Sequence, residues 1–217
     1  MTFCTDTDLL YWEPNLFRDA AFASQTLLAG TGDLAGTTFT IDAGSLTNAH
    51  IAGKMVIALA GPVAGCFPII SVNSATQLTL GVLHDALFPD GQAPTPSPIG
   101  TANDLTFAIR TFSPQIRVVS DMLKQASGLV PGSVLEEEAD ILNPEVLRKA
   151  CVPGALQMIY SALAAIAEEP AIYNARADFY ERLYRRAMRN ARVELDVDGD
   201  GDADTVRLLN VVDLVRG

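Results

Sequence analysis

Histidine is nearly missing from this chain. Only His50 and His84 occur among 217 residues, which excludes a multi-histidine metal site and leaves little for histidine-dependent catalysis. Cysteine is almost as sparse. Cys4, Cys66 and Cys151 are odd in number, far apart and without a CxxC spacing, so neither a zinc site nor a disulfide framework is indicated, and a reducing compartment fits. No apolar run approaches the length of a membrane span. The start, MTFCTDTDLLYWEPN, has neither a basic n-region nor an apolar h-region, so no secretion signal is expected. Basic residues are short too: 15 Lys and Arg against 26 Asp and Glu, a net charge of -11. A duplex-binding domain draws most of its affinity from a basic excess, which this chain lacks. An acidic chain can instead line a passage through which DNA slides without sticking, because like charges repel.

Apolar residues are plentiful, at 49%, enough for a substantial core. They fall into regions of different texture. Residues 1–24 read as helical, with Thr5 and Asp8 spaced as a capping pair, Leu9, Leu10, Leu16, Phe17 and Phe22 as anchors, and a break at Pro14. Residues 25–112 are rich in Gly, Thr, Val and Ile. TTFTI (37–41), KMVIAL (54–59), CFPIIS (66–71), QLTLGV (77–82) and LTFAIRT (105–111) read as short strands. GTGDLAG (30–36), AGPVAG and VNSAT read as turns between them, and PDGQAPTPSPIG (89–100) as a Pro-rich loop. GTGDLAG lacks the lysine and spacing of a P-loop. Five or six strands at this spacing suggest a small barrel or sandwich.

Residues 113–192 return to helical patterning. Ser113-Pro114 and Asn143-Pro144 are helix starts, Gly128 is a helix stop, and Pro153 should kink the second long helix. A third helix spans 171–192, with Ile172, Ala175, Phe179 and Leu183 expected on its buried face. RVELDV and TVRLLNVV within 192–212 read as two strands. The expected fold class is therefore α+β: a helical bundle with an inserted small β-barrel or sandwich domain and a C-terminal β-hairpin arm over 193–217.

Between those last strands lies DVDGDGDADT. Asp196, Asp198, Asp200, Gly201 and Asp204 match positions one, three, five, six and nine of an EF-hand calcium loop. Position twelve is Arg207 where a bidentate carboxylate belongs, and the flanks read as strands. The plainer reading is a hairpin turn that uses Asp and Gly for their tolerance of left-handed backbone. A cation, calcium by chemistry, would relieve the repulsion among five carboxylates. Arg182, Arg185, Arg186 and Arg189 share one helix face, with Arg176 and Arg192 on either side. That face is either solvated, with Asp178–Arg182 and Glu181–Arg185 pairs, or docks an acidic neighbour or DNA. Glu136, Glu137, Glu138 and Asp140 read as solvated loop charge. No serine stands in a triad pattern. Tyr11, Trp12, Tyr160, Tyr173, Tyr180 and Tyr184 read as packing aromatics, since no basic strand surface is present for base stacking.

The run ADFYERLYRRAMRNARVELDVDGDGDADTVRLLNVVDLVRG (177–217) resembles the end of neck proteins, the head–tail connectors or adaptors, of tailed bacteriophages and gene-transfer-agent particles. TDTDLLYWEPNLF and FSPQIRVVSDML add to the likeness, which covers the first 20 residues or so and the chain from Phe112 onward. The resemblance implies a non-enzymatic structural protein of the virion neck, made in the bacterial host cytoplasm. It implies a ring, typically of twelve copies, below the portal, extending the DNA channel without specific DNA binding, and free of membrane. The partners implied are the portal protein, other copies of the chain, and the next neck or tail component, a stopper or tail terminator. The contact candidates are Arg182, Arg185, Arg186, Arg189, Leu208, Leu209, Val211, Val212 and Leu214. No cofactor is expected unless the aspartate loop takes calcium. A calcium-binding structural module using Asp196, Asp198, Asp200 and Asp204 is the alternative function, and a carboxylate-dependent hydrolase in the β-rich region is a further one.

Overall fold

The computed structural model describes residues 2–46, 55–83, 96–129 and 138–209. The chain is a mixture of helix and strand that divides into two compact units. One unit holds residues 5–112, and the other joins residues 1–4 to 113–217.

The first unit is built on a closed barrel of six antiparallel strands in the order β1-β2-β5-β4-β3-β6. The strands are β1 (Thr26–Gly36), β2 (Thr38–Ile41), β3 (Val56–Ala60), β4 (Gly65–Val72), β5 (Gln77–Leu80) and β6 (Gly100–Arg110). Closure leaves no free sheet edge. Leu34, Phe39, Ile57, Leu59, Ile69, Leu78, Leu105, Phe107 and Ile109 fill the interior. At its centre the Phe39 and Phe107 rings meet edge-on, 5.2 Å apart, and each such buried side chain contributes roughly 1.5–3 kcal/mol.

One sequence expectation fails here. GTGDLAG is no turn but the body of β1, paired on one side with β2 and on the other with β6. Its glycines are there for space. A Cβ on Gly32 would stand 2.5 Å from the Thr40 carbonyl oxygen and 2.8 Å from the Phe39 ring. Gly30 lies against the Phe107 ring. Glycine inside a strand marks close approach of another group as readily as it marks a turn.

Helices α1 (Asp6–Trp12) and α2 (Leu16–Asp19) belong to the same unit as the barrel, while residues 1–4 group with the long helices. Pro14 separates them, as expected. Asp8 reaches back to the Thr5 amide at 2.8 Å, which caps α1. Leu9, Leu10, Leu16 and Phe17 are buried, and Phe17 and Phe22 pack on the ring of Phe112, which follows β6. The Arg110 guanidinium donates to the Phe17 carbonyl. The buried Asp6 carboxylate accepts from the Thr111 hydroxyl at 2.6 Å and the Phe112 amide at 2.7 Å. Apolar anchors at helical spacing say that a segment is buried, not which core receives it.

The second unit is built from α3 (Ser113–Ala126), α4 (Pro144–Ile166), α5 (Pro170–Asn190) and a hairpin of β7 (Arg192–Leu195) and β8 (Thr205–Leu208). Helix α4 packs against both α3 and α5, and runs through Pro153 without ending. It is long and apolar enough to cross a bilayer by length and composition, contrary to the sequence estimate, yet 56% of its most apolar window is buried within the protein. Gly154 permits the close packing, since a Cβ there would lie 2.8 Å from Val119 and 3.1 Å from Tyr184.

Helix α3 ends as Gly128 predicts. Gly128 has φ +74, the Leu129 amide bonds to the Lys124 carbonyl, and the Gly128 amide bonds to that of Gln125. These are the two bonds of a Schellman stop. The N-terminal residues dock on the same unit. The Phe3 amide donates to Ser120 Oγ at 3.0 Å, and Lys124 lies over the Phe3 ring at 5.9 Å. Cys4 and Cys151, far apart in sequence, bring their Sγ atoms to 2.9 Å.

Candidate docking surface and aspartate loop

Helix α5 turns a different face inward from the one its apolar residues suggest. Ala177 and Tyr180 are buried, with Tyr173 and Tyr184 half-buried on the same side. Tyr160 of α4 sets that choice. Its ring stacks on Tyr180 with centroids 5.7 Å apart and planes within 3°, and on Tyr173 at 6.5 Å. Arg176 completes the seam, its Nη1 donating to the Tyr160 hydroxyl at 2.8 Å. Stacked tyrosine rings, with the Tyr160 hydroxyl hydrogen-bonded, outcompete the apolar stripe for this seam.

The displaced stripe faces outward. Ile172 is 59% exposed and Phe179 48% exposed; Ala175 is exposed and Leu183 half-buried. Ile172, Ala175 and Phe179 therefore do not line the core as expected, because the tyrosines occupy the facing seam. Arg182, Arg185, Arg186 and Arg189 are all exposed on the last turns of the same helix. Of the two expected intrahelical pairs, Glu181–Arg185 forms at 2.5 Å. No ion pair joins Asp178 to Arg182 among the described residues. The outer side of α5 thus runs from apolar at its start to basic at its end. The outer side of α3 carries a second exposed apolar pair, Val118 and Met122.

The hairpin is fastened to its own unit. Val193, Leu195 and Leu209 are buried. Asn143 does not cap α4 with its side chain; it pairs with β7, donating to the Arg192 carbonyl at 2.9 Å and accepting from the Glu194 amide at 3.0 Å. The Asp196 amide bonds to the Asp140 carbonyl at 2.8 Å, so Asp140 serves this strand through its backbone. Leu208 stays exposed beside Val206, whereas Leu209 is buried. Val211, Val212 and Leu214, with His50, His84, Glu136 and Glu137, lie outside the described residues.

Within the loop, carboxylate oxygens of Asp196, Asp198 and Asp204 lie within 4.8 Å of one another. Asp200, the fourth expected ligand, stands outside this trio and accepts instead from the Asp202 amide at 2.8 Å. Asp196 accepts from the Gly199 and Gly201 amides at 2.7 and 2.9 Å, and Asp204 from the Val197 amide at 2.7 Å. Backbone N–H groups therefore hold the loop and offset part of the carboxylate repulsion. Gly199 and Gly201, at φ +78 and +92, supply the left-handed turns. Three carboxylates fit part of a calcium shell, which needs six to eight oxygens. Arg207, at the twelfth loop position, faces elsewhere: its Nη1 donates to the Ser127 carbonyl at 2.8 Å.

No family model, curated protein or solved structure gives a significant match to the chain.

Proposed function

We propose that this chain is a non-enzymatic structural protein of a phage-like neck, a helical bundle carrying a β-barrel as an insert, which assembles as a ring beneath a portal and connects head to tail. The observation that carries the reading is the outer face of α5. It presents exposed Ile172 and Phe179 in line with Arg182, Arg186 and Arg189. Aromatic and arginine side chains are enriched at the energetic centres of protein interfaces. The exposed Val118 and Met122 on α3 supply a different apolar patch. Two unlike patches on one subunit suit head-to-tail contacts, which close into rings when the rotation allows. The net charge of -11 suits a passage for DNA.

Ile172→Glu and Phe179→Glu, tested in co-sedimentation with the portal protein of the same particle, probe this reading. Wild-type protein should pellet with the portal and both variants should be lost to the supernatant while remaining folded by circular dichroism. Equal pelleting of variants and wild type would remove α5 from the contact, and no pelleting of either would remove the reading.

A second reading has one observation in its favour: the convergence of Asp196, Asp198 and Asp204. In it the loop takes calcium, which orders the hairpin as a structural module. Calorimetric titration decides it, because absence of heat at millimolar calcium eliminates the site.

A further inference from the structure

We propose that Cys4 and Cys151 form a redox-controlled disulfide that locks the N-terminal segment onto the helical unit. The two residues are 147 positions apart in sequence, and their Sγ atoms are 2.9 Å apart. A disulfide bond is about 2.05 Å long, so closing it needs a shift of less than an ångström, within reach of small side-chain rotations. Both thiols are buried, Cys4 at 2% and Cys151 at 0% exposure. Their surroundings hold them in register. Ser120 Oγ receives the Phe3 amide at 3.0 Å and lies 3.5 Å from Cys151 Sγ, so the residue before Cys4 and the thiol of Cys151 are fixed by one hydroxyl.

The oxidant is a small disulfide such as oxidised glutathione. It reaches the Cys4 thiol when that segment is transiently open or before the chain has finished folding. The Cys4 thiolate attacks one sulfur of the small disulfide and expels a thiolate. The Cys151 thiolate then attacks Cys4 Sγ in the mixed disulfide and expels the second. The two expelled thiolates take up the two protons released by the cysteines. The balance is two protein thiols and one small disulfide giving one protein disulfide and two small thiols. The bond closes a loop that contains the whole barrel unit and α3. A chain kept reduced during synthesis would gain this lock on reaching an oxidising medium. Cys66 is the internal control. It lies in β4, in the other unit.

The test is refolding of the full chain from denaturant in glutathione buffers of graded ratio, which gives buried thiols equal access to exchange. Intact mass, non-reducing peptide maps and melting temperature are then read. The expected product loses two hydrogens in mass and yields a Cys4–Cys151 linked peptide. Its melting temperature rises by roughly 5–10 °C and returns with a reductant. Cys66→Ser should keep all three signals; Cys4→Ser and Cys151→Ser should each lose them. The proposal is overturned if both thiols remain alkylatable in oxidising buffer, if a stable glutathione adduct accumulates on either, or if the cross-link that forms contains Cys66.

Discussion

The Arg207 guanidinium donates to the Ser127 carbonyl at 2.8 Å, joining β8 to the last carbonyls of α3. This is a favourable place for a cation, because the carbonyls at a helix end carry the negative end of its dipole. The residue that spoils the calcium-loop pattern therefore has a structural task of its own. Arg207→Ala should cost about 1–2 kcal/mol, and Arg207→Lys less, in denaturant titrations. Gly128→Ala should be at least as damaging. It places a Cβ 2.6 Å from Arg207 Nη1, at a backbone φ of +74 that only glycine adopts freely.

Gly154 gives a prediction against the usual direction. Glycine to alanine in a helix ordinarily stabilises by about 1 kcal/mol. Here the added methyl would meet Val119 at 2.8 Å and Tyr184 at 3.1 Å. Gly154→Ala should therefore destabilise, by about 1–2 kcal/mol net of the propensity gain. Val119→Ala in the same background should recover part of the loss, and a double-mutant cycle on thermal unfolding would detect that coupling.

Asp6 makes stability depend on pH. Burial, with a smaller push from Asp8, raises its pKa to about 7, against the opposing effect of the bonds from Thr111 and Phe112. An unfolded Asp titrates near 3.8, so between the two values the folded state holds the extra proton. Stability contributed here is present at low pH and is lost as the pH rises toward and through 7, an effect of up to a few kcal/mol. Thermal unfolding from pH 5 to pH 8 should show a falling contribution from this residue. Asp6→Asn keeps an acceptor for Phe112 and can donate to Thr111, so it should flatten that slope and melt no lower than wild type at pH 8. An unchanged slope would contradict the assignment.

Much of the fold was legible because its signals are local. The Thr5–Asp8 cap, the break at Pro14, the starts at Ser113-Pro114 and Asn143-Pro144, and the stop at Gly128 are each set within a few residues of chain. Most strands of the barrel announced themselves by β-branched runs. What could not be read depended on distant partners. Gly30 and Gly32 look like a turn until Phe39 and Phe107 are placed over them. Ile172 and Phe179 look like core until the Tyr160 ring claims Tyr173 and Tyr180 for the seam. The bonds of Asp6, the pairing of Asn143 with β7 and the Cys4–Cys151 pair carried no local mark, since the partners lie 49 to 147 positions away. The arginine face was legible from its i, i+3, i+4, i+7 spacing; its continuity with an exposed apolar stripe was not.

The central claim is assembly, and electron microscopy of the purified chain mixed with the portal protein of its own particle tests it most directly. The chain alone can remain monomeric without prejudice to the claim. Mixed with the portal, it should form a closed ring seated on one end, enclosing a channel continuous with the portal's own, and Phe179→Glu should abolish that ring. Portal particles with no added density, at chain concentrations well above those of the portal, would contradict the account.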